Sequence, residues 1–347
     1  MVAKSPRPDP APFSPVAARD EGGLDLALRP RSFDGFVGQR RAVENLKVAI
    51  EAARQRGEPL DHTLLSGLPG LGKTTLACLL AREMGSDLRL TSGPALARAA
   101  DLAGLLTNLK KGDVLFVDEV HRLHPAVEEY LYTAMEEFAI DIVIDSGPAA
   151  RSVRVDLQPF TLVGATTREG LLSAPFRSRF GITERLEPYP PADLRTIVLN
   201  SAGLLSVEVA TGAAELVASR SRGTPRIANR FLKRARDLAQ LTSGNRVTEA
   251  VAAETMRRLG VDERGLSEVD RTLLLGLARG GGGPVGLKTV ALLVGEEPDT
   301  VEDVVEPFLV QEGYLDRTPR GRRLTERGYA AVGARAPGEA PPPALFA

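Results

Sequence analysis

Three short stretches of the chain carry the residue types that phosphate chemistry needs. GLPGLGKT, Gly67 to Thr74, fits the pattern GxxxxGK[ST] between an apolar run and an amphipathic one. Glycines let backbone N–H groups turn inward around phosphates, Lys73 can reach the β- and γ-phosphates, and the Thr74 hydroxyl suits Mg2+. The helix that follows adds its positive N-terminal end. Further on, VLFVDEVH closes an apolar strand on two carboxylates, which is costly unless something uses them. Asp118 suits the Mg2+ shell, and Glu119 is placed to polarise a water for attack on a γ-phosphate. FTLVGATTR ends on Thr166 and Thr167, polar groups at the sheet edge where that phosphate lies. ATP and Mg2+ are the cofactors these motifs imply. His121 and His124 in HRLH have no cysteine nearby and read as a helix start, not as metal ligands.

Such groups act together only if a parallel sheet gathers them. HTLLSG (62–67), LRLTSG (88–93), DVLFVDEV (113–120) and FTLVGATT (160–167) read as its strands, and KTTLACLLAREMG and PAVEEYLYTAMEEF as covering helices. LRLTSG lies between the two nucleotide motifs, which predicts an extra strand separating the strands that carry them. That spacing and the second carboxylate favour hydrolysis over transfer to a small acceptor. From Pro190 helical periodicity runs to about Gly260, and short helices and an arginine-rich stretch follow. This gives domains at 23–189, 190–260 and 261–333. The Pro- and Ala-rich ends, 1–22 and 334–347, read as disordered.

Bulk composition narrows the classes. The 347 residues hold 44 basic and 45 acidic side chains, so any contact with nucleic acid must be local. The single cysteine, Cys78, excludes an internal disulfide and reads as a small buried side chain. No apolar stretch is long enough to span a bilayer, and the expectation is a cytoplasmic protein with no membrane partner.

GLPGLGKTT, VLFVDEVHRL, TLVGATTR, SAPFRSRFG and GTPRIANR, in this order, resemble the AAA+ ATPases. LRPRSFDGFVGQ near the start and GGGGPVGLKTVALLVGEEPDTVEDVVEPFLVQEGYLDRTPRGR near the end resemble the RuvB family of Holliday-junction branch-migration motors in particular. The resemblance implies an α/β AAA+ P-loop domain with a parallel sheet, then an all-α lid and a C-terminal winged helix. It also implies a homohexameric ring working on DNA with RuvA and RuvC. By the same resemblance Leu28 and Arg29 lie on the adenine side, and Gly70, Lys73, Thr74 and Thr75 take the phosphates and Mg2+. Glu136, Glu137, Phe138, Tyr189 and Arg226 match nucleotide-contacting positions. Thr167 resembles sensor 1 and Arg226 sensor 2. One arginine of FRSRF would reach the neighbouring subunit's ATP. Arg179, in the RFG element, is favoured over Arg177.

Two surfaces lie beyond this site. AIDIVIDSGPAARSVRVDLQPF (139–160) reads as a β-hairpin around SGPA. Ile142, Ile144, Val153 and Val155 could be core, and the resemblance makes 140–157 a dock for RuvA. GLKTVALLVG and TVEDVVEPFLVQEG follow the order of a helix-turn-helix pair. The second helix carries Glu302, Asp303 and Glu306, whose charges would face phosphates at a cost, so it should not read bases. DNA contact falls to the wing RTPRGRRLTER, where Arg317 and Arg322 match DNA-contacting positions and Arg320 and Arg323 are auxiliary. Phosphate contact gives affinity without sequence information. Two other readings share parts of the pattern. A clamp-loader-like switch shares the ATPase motifs but needs no winged helix. An ATP-gated transcription regulator would need a base-reading second helix.

Overall fold

The computed structural model describes residues 27–143 and 152–336. The proline-rich stretches at 1–22 and from 337 onward, with Ile144 and the SGPA turn, lie outside the described residues. The chain divides into two compact units, Arg29–Tyr189 and the unit holding Leu28 and everything from Pro190.

In Arg29–Tyr189 the elements run α1 (Arg40–Arg56), β1 (Thr63–Ser66), α2 (Lys73–Met84), β2 (Leu88–Ser92), α3 (Ala99–Leu106), β3 (Val114–Asp118) and α4 (Pro125–Glu137). There follow β4 (Ala139–Val143), β5 (Ser152–Asp156), β6 (Thr161–Thr166), α5 (Ala174–Arg177) and β7 (Ile182–Arg185). Five parallel strands form one sheet in the order β2-β3-β6-β1-β7. Strands β1 and β6 are buried along their whole length, as continuous apolar runs covered on both faces must be. One expectation needs correcting. A strand does separate β1 from β3, but it is β6; LRLTSG forms the edge strand β2. Adjacency in sequence misled, because parallel strands need a crossover and the chain is free to return later. The fifth strand, β7, was not foreseen: ITER is four residues long with a charged residue, Glu184, turned inward. That carboxylate accepts a hydrogen bond from Asn45 at 2.8 Å, which makes its burial tolerable.

The two strands of the expected hairpin pair antiparallel, with Ile142 opposite Val153 and Ile140 opposite Val155. Its two apolar sets part company. Ile142 and Val155 lean on the core beside Leu131 and Phe160, while Val153 is exposed.

The second unit begins with α6 (Pro191–Leu204), β8 (Glu208–Val209), α7 (Thr211–Arg220), α8 (Pro225–Thr242), β9 (Arg246–Val247) and α9 (Glu249–Arg258). The lid is thus not wholly helical: β8 and β9 form a two-residue parallel pair, too short to register as a pattern. Next come α10 (Glu268–Arg279), α11 (Leu287–Val294), and a helix in three parts: α12 (Pro298–Thr300), a π turn (Val301–Val305) and α13 (Glu306–Gln311). Pro307 accounts for the π turn, because its ring would clash with the carbonyl four residues back and it has no N–H to give. The antiparallel strands β10 (Leu315–Thr318) and β11 (Gly321–Leu324) make the wing, and α14 (Glu326–Ala331) closes the fold. The glycine run supplies a third rung, with Val285 and Arg322 exchanging backbone bonds of 2.9 and 2.8 Å. A Cβ on Gly283 would lie 2.3 Å from the Arg322 carbonyl oxygen, so the run must be bare for the wing to seat.

His62, just before β1, shows how tightly the first unit is fastened. Its Nδ1 accepts from the Leu162 N–H at 2.8 Å, which leaves Nε2–H to donate to the Met135 carbonyl at 3.0 Å. The ring sits between Phe138 and Phe160, and this burial holds its pKa below the usual value. The unfolded chain takes up the proton near pH ~6.5 while the folded chain resists it, so stability is lost as pH falls below ~6.5. The unfolding free energy from urea titration should drop between about pH 7.5 and about pH 5.5, by at most ~1.4 kcal/mol per pH unit from this group. His62→Gln should flatten that part of the drop.

Candidate active site

Parallel register sets the site. Ser66 pairs with Thr166, Val117 with Gly164 and Ser92 with Asp118, so β1, β6, β3 and β2 all end on one edge. The Gly67 N–H donates to the Thr166 carbonyl at 3.1 Å, which ties the start of the glycine loop to the end of β6. In open parallel sheets that carboxyl edge is where ligands bind. Gly67 to Thr74, Asp118–Glu119 and Thr166–Thr167 therefore meet, as their spacing predicts.

The loop's shape depends on its glycines. Gly67, Gly70 and Gly72 all have positive φ, at 136°, 79° and 104°. A Cβ on Gly72 would press on the Phe36 ring at 3.2 Å, and behind it the Tyr189 hydroxyl donates to the Leu71 carbonyl at 3.2 Å. Lys73 is buried at the first turn of α2, and its Nζ donates to the Gly67 and Leu68 carbonyls at 2.7 and 2.9 Å. Thr74 and Thr75 are half-buried beside it. Among the described residues the buried Ser66 hydroxyl has no hydrogen-bond partner, an unspent polar atom at the base of the loop. A concave row of N–H groups, a lysine, hydroxyls and a carboxylate fits a nucleotide triphosphate with a hard cation.

Glu119 adopts the left-handed conformation, φ 49° and ψ 44°. In a non-glycine residue this stores ~1 kcal/mol or more and persists only where neighbours impose it. The neighbours are visible. Its N–H donates to the Asp118 carboxylate at 2.9 Å, its carbonyl accepts from the Arg122 N–H at 2.8 Å, and its carboxylate pairs with Arg122 at 3.0 Å. The backbone of Gly93, at the end of β2, lies so close that a Cβ there would stand 2.5 Å from the Glu119 carbonyl oxygen. His121 bonds the Thr166 hydroxyl at 3.0 Å, linking this turn to the end of β6, and His124 caps α4. Thr167 is half-buried just past the strand.

The remaining candidates fall elsewhere. Arg29 reaches Cys78 on α2 at 3.9 Å, and Cys78 is half-buried there, not the enclosed side chain expected of it. Leu28 is buried and Arg226 is exposed in the first turn of α8, both in the other unit. Arg179 stands over the Tyr132 ring, bonds its hydroxyl, and pairs with Glu136 at 2.9 Å. Tyr132, foremost, and Glu136 raise its pKa above the usual arginine value, so the charge is secure. Arg177 is exposed. Glu137 pairs with Arg154 at 2.6 Å, and Phe138 packs on Phe160. This second cluster lies at the other edge of the sheet. Arg179 precedes β7, whose Ile182 pairs with Thr63 at the start of β1, and the Met135 carbonyl is held by His62. The four residues of β1 put ~10 Å or more between that edge and the glycine loop.

Sequence reading did not single out Phe36, Gln39, Gly93 or Tyr132. Gln39 clamps the Glu187 backbone, donating to its carbonyl at 2.6 Å and accepting from its N–H at 3.1 Å. Of these only Tyr132 left a signal, one helical turn before Glu136.

A glycine phosphate loop and strand-end carboxylates on this strand order, with a small mostly helical unit after them, define a P-loop ATPase of the AAA+ class. Family models carry the comparison further. Residues 28–186 match the Holliday junction DNA helicase RuvB P-loop domain, 189–262 the RuvB AAA lid domain and 263–333 the RuvB C-terminal winged helix domain. The chain belongs to the RuvB family. It is 59% identical over 307 residues to a Myxococcus xanthus protein named Holliday junction branch migration complex subunit RuvB, covering 88% of this chain and 90% of that one. A Chlorobaculum tepidum protein of the same name is 56% identical, with coverage of 88% and 89%. The solved Thermotoga maritima RuvB Holliday junction branch migration motor superposes with a TM-score of 0.83 at 48% identity, covering 90% of this chain and 100% of that one.

Gly93→Ala should push the Glu119 turn out of place while leaving the glycine loop alone. ATP turnover is expected to fall by up to ~10²-fold, the scale of an ångström-level misplacement, with nucleotide affinity little changed. Steady-state turnover alongside titration of a fluorescent nucleotide checks this; equal losses in both would contradict it.

Proposed function

We propose that this chain is an ATP-driven DNA translocase that works as a homohexameric ring and promotes branch migration of Holliday junctions in recombination and repair. The observation that carries the ring is the separation of the two clusters. Arg179 and Glu136 lie at the opposite sheet edge from the glycine loop, so they suit a neighbouring subunit's nucleotide and not their own. The nucleotide set then divides. Gly70, Lys73, Thr74, Thr75, Asp118, Glu119, Thr167 and Tyr189, with Leu28, Arg29 and Arg226, serve the subunit's own ATP. Glu136, Glu137, Phe138 and Arg179 serve the next one. Arg179 is favoured over Arg177 because its neighbours hold it in one place, with its charge secure.

In this reading Thr74 and Asp118 hold Mg2+, whose chemistry is to neutralise charge on the β- and γ-phosphates. Lys73 and the loop N–H groups bind the phosphates. Glu119 accepts a proton from the attacking water, and Arg122 beside it fixes the carboxylate. Thr167 orients the γ-phosphate or the water from the end of β6. An arginine in trans adds ~10³–10⁵ in rate, so lone subunits turn over slowly. Tyr189 touches the Leu71 backbone, so it steadies the loop as well as any base above it.

The hairpin around 140–157, with Val153 exposed on its outer face, is the dock for RuvA, and RuvC joins in the resolving complex. The wing holds DNA through Arg317 and Arg322 without reading sequence. We place the domains at 23–189, 190–260 and 261–333 and the protein in the cytoplasm; among the described residues no helix is long and apolar enough to cross a membrane.

The direct test is ATP-dependent migration of a synthetic four-way junction with and without RuvA; no migration under any condition would reject the reading. Arg179→Ala, inactive alone, should regain ATPase activity when mixed with Lys73→Ala, because mixed rings assemble some intact sites. Failure to recover at every ratio would exclude the role in trans.

A further inference from the structure

We infer that Glu306 is a built-in counterion that limits how tightly the wing holds DNA. This rests on the reading that Arg317 and Arg322 contact DNA. From sequence, the acidic second helix should keep off the DNA and leave contact to the wing. In the structure Glu306 is wholly buried, on the first turn of α13. Its Oε1 accepts from Arg322 Nε at 2.6 Å, and its Oε2 from Arg317 Nε at 2.8 Å and Arg322 Nη2 at 3.1 Å. The two arginines are directly opposed in the β10–β11 ladder, so they share one face of the wing, the face against the helix. Glu302 stands 3.8 and 3.7 Å from them, and its carbonyl accepts from Arg317 Nη2 at 3.0 Å.

Two guanidiniums thus face two carboxylates, and the quartet is formally neutral. The rest of the segment follows suit. Arg323 pairs with Asp316 at 2.9 Å and Arg327 with Glu312 at 3.2 Å, while Arg320 stands exposed at the turn. A stretch that reads as strongly basic in sequence is largely compensated in three dimensions.

The geometry leaves a way for phosphate to bind. Arg317 is 44% exposed at its side chain and Arg322 14%, so Arg317 above all keeps surface open to solvent while Glu306 anchors both. A phosphate meeting this pair gains hydrogen bonds from arginines already fixed in place, but less Coulomb attraction than two unpaired arginines would give. Anchoring makes the contact specific in geometry, and compensation makes it weak. A wing that must let go of each phosphate as duplex moves past needs both properties.

Glu306→Gln keeps an acceptor in the pocket and removes its charge. In full-length protein, binding to a labelled mixed-sequence duplex across a salt titration should steepen by about 0.9 in log–log slope, which amounts to about tenfold tighter binding near 0.1 M salt. A folded Glu306→Gln protein with unchanged slope and affinity, or with weaker binding, overturns the inference. Should that variant melt below the assay temperature, Glu302→Gln decides in its place: steeper and tighter supports the counterion, wild-type behaviour overturns it. Arg317→Ala with Arg322→Ala separates the two claims. If that pair binds DNA as wild type does, the wing reading fails. If it loses DNA while the glutamine variants change nothing, only the counterion fails.

Discussion

The alignment of β1 with β6 is the constraint on which the rest of the chemistry depends. Gly67 can begin a phosphate loop only because its N–H is spoken for by the Thr166 carbonyl, and Thr166 ends its strand level with Ser66. Slipping that register by one residue would reverse the faces of one strand against the other and pull the threonines away from the loop. The same edge receives Asp118 through the pairing of β3 with β6. Carboxylates, lysine and hydroxyls are therefore brought together by backbone hydrogen bonds among buried apolar residues. Few direct contacts among the polar groups themselves are needed. That suits a site whose central partner is the substrate.

The opposite edge of the sheet is built on another principle. There the polar groups are held by direct partners: Arg179 by Tyr132 and Glu136, Glu137 by Arg154, His62 by two backbone groups. A guanidinium stacked on an aromatic ring and paired with a carboxylate is pre-ordered, and little rotamer entropy remains to be lost when it meets a phosphate. One edge is open and loop-lined, the other rigid and charged. A ring that sets each rigid edge against a neighbour's open edge uses both.

Much of this was legible in the sequence, and the limits follow from physics. The glycine loop and the strand-end acids were readable because their function fixes residue types at fixed spacing. The role of β6 as the strand between β1 and β3 was not, since order in a parallel sheet is set by crossovers that leave no local mark. Strand β7 escaped because four residues with an inward glutamate lack periodicity. Gly93 looked like any turn glycine; its importance comes from a backbone approach across two elements. Glu306 shows the same limit most plainly. Charge is visible in a sequence, but whether it faces solvent or two arginines depends on a wing folded back over a helix.

Burial of that kind recurs where the lid joins the winged helix. Arg222, in the left-handed conformation after α7, is 3% exposed at its side chain and pairs with Asp270, at 1%, in the first turn of α10. It also donates to the Gly265 carbonyl at 3.0 Å and lies 4.5 Å over the ring of Phe308, on α13. Asp270 accepts from the Ser267 backbone and hydroxyl at 2.6 Å each, so the charges are hydrogen-bonded as well as paired. Burial lowers the arginine's pKa, and Asp270 opposes that shift. Separating such a pair leaves an uncompensated buried charge, at ~3–5 kcal/mol. Hinge bending between lid and wing would have to meet that cost at every step. The lid and the winged helix are therefore fastened to each other by a buried charge pair and not only by apolar contact.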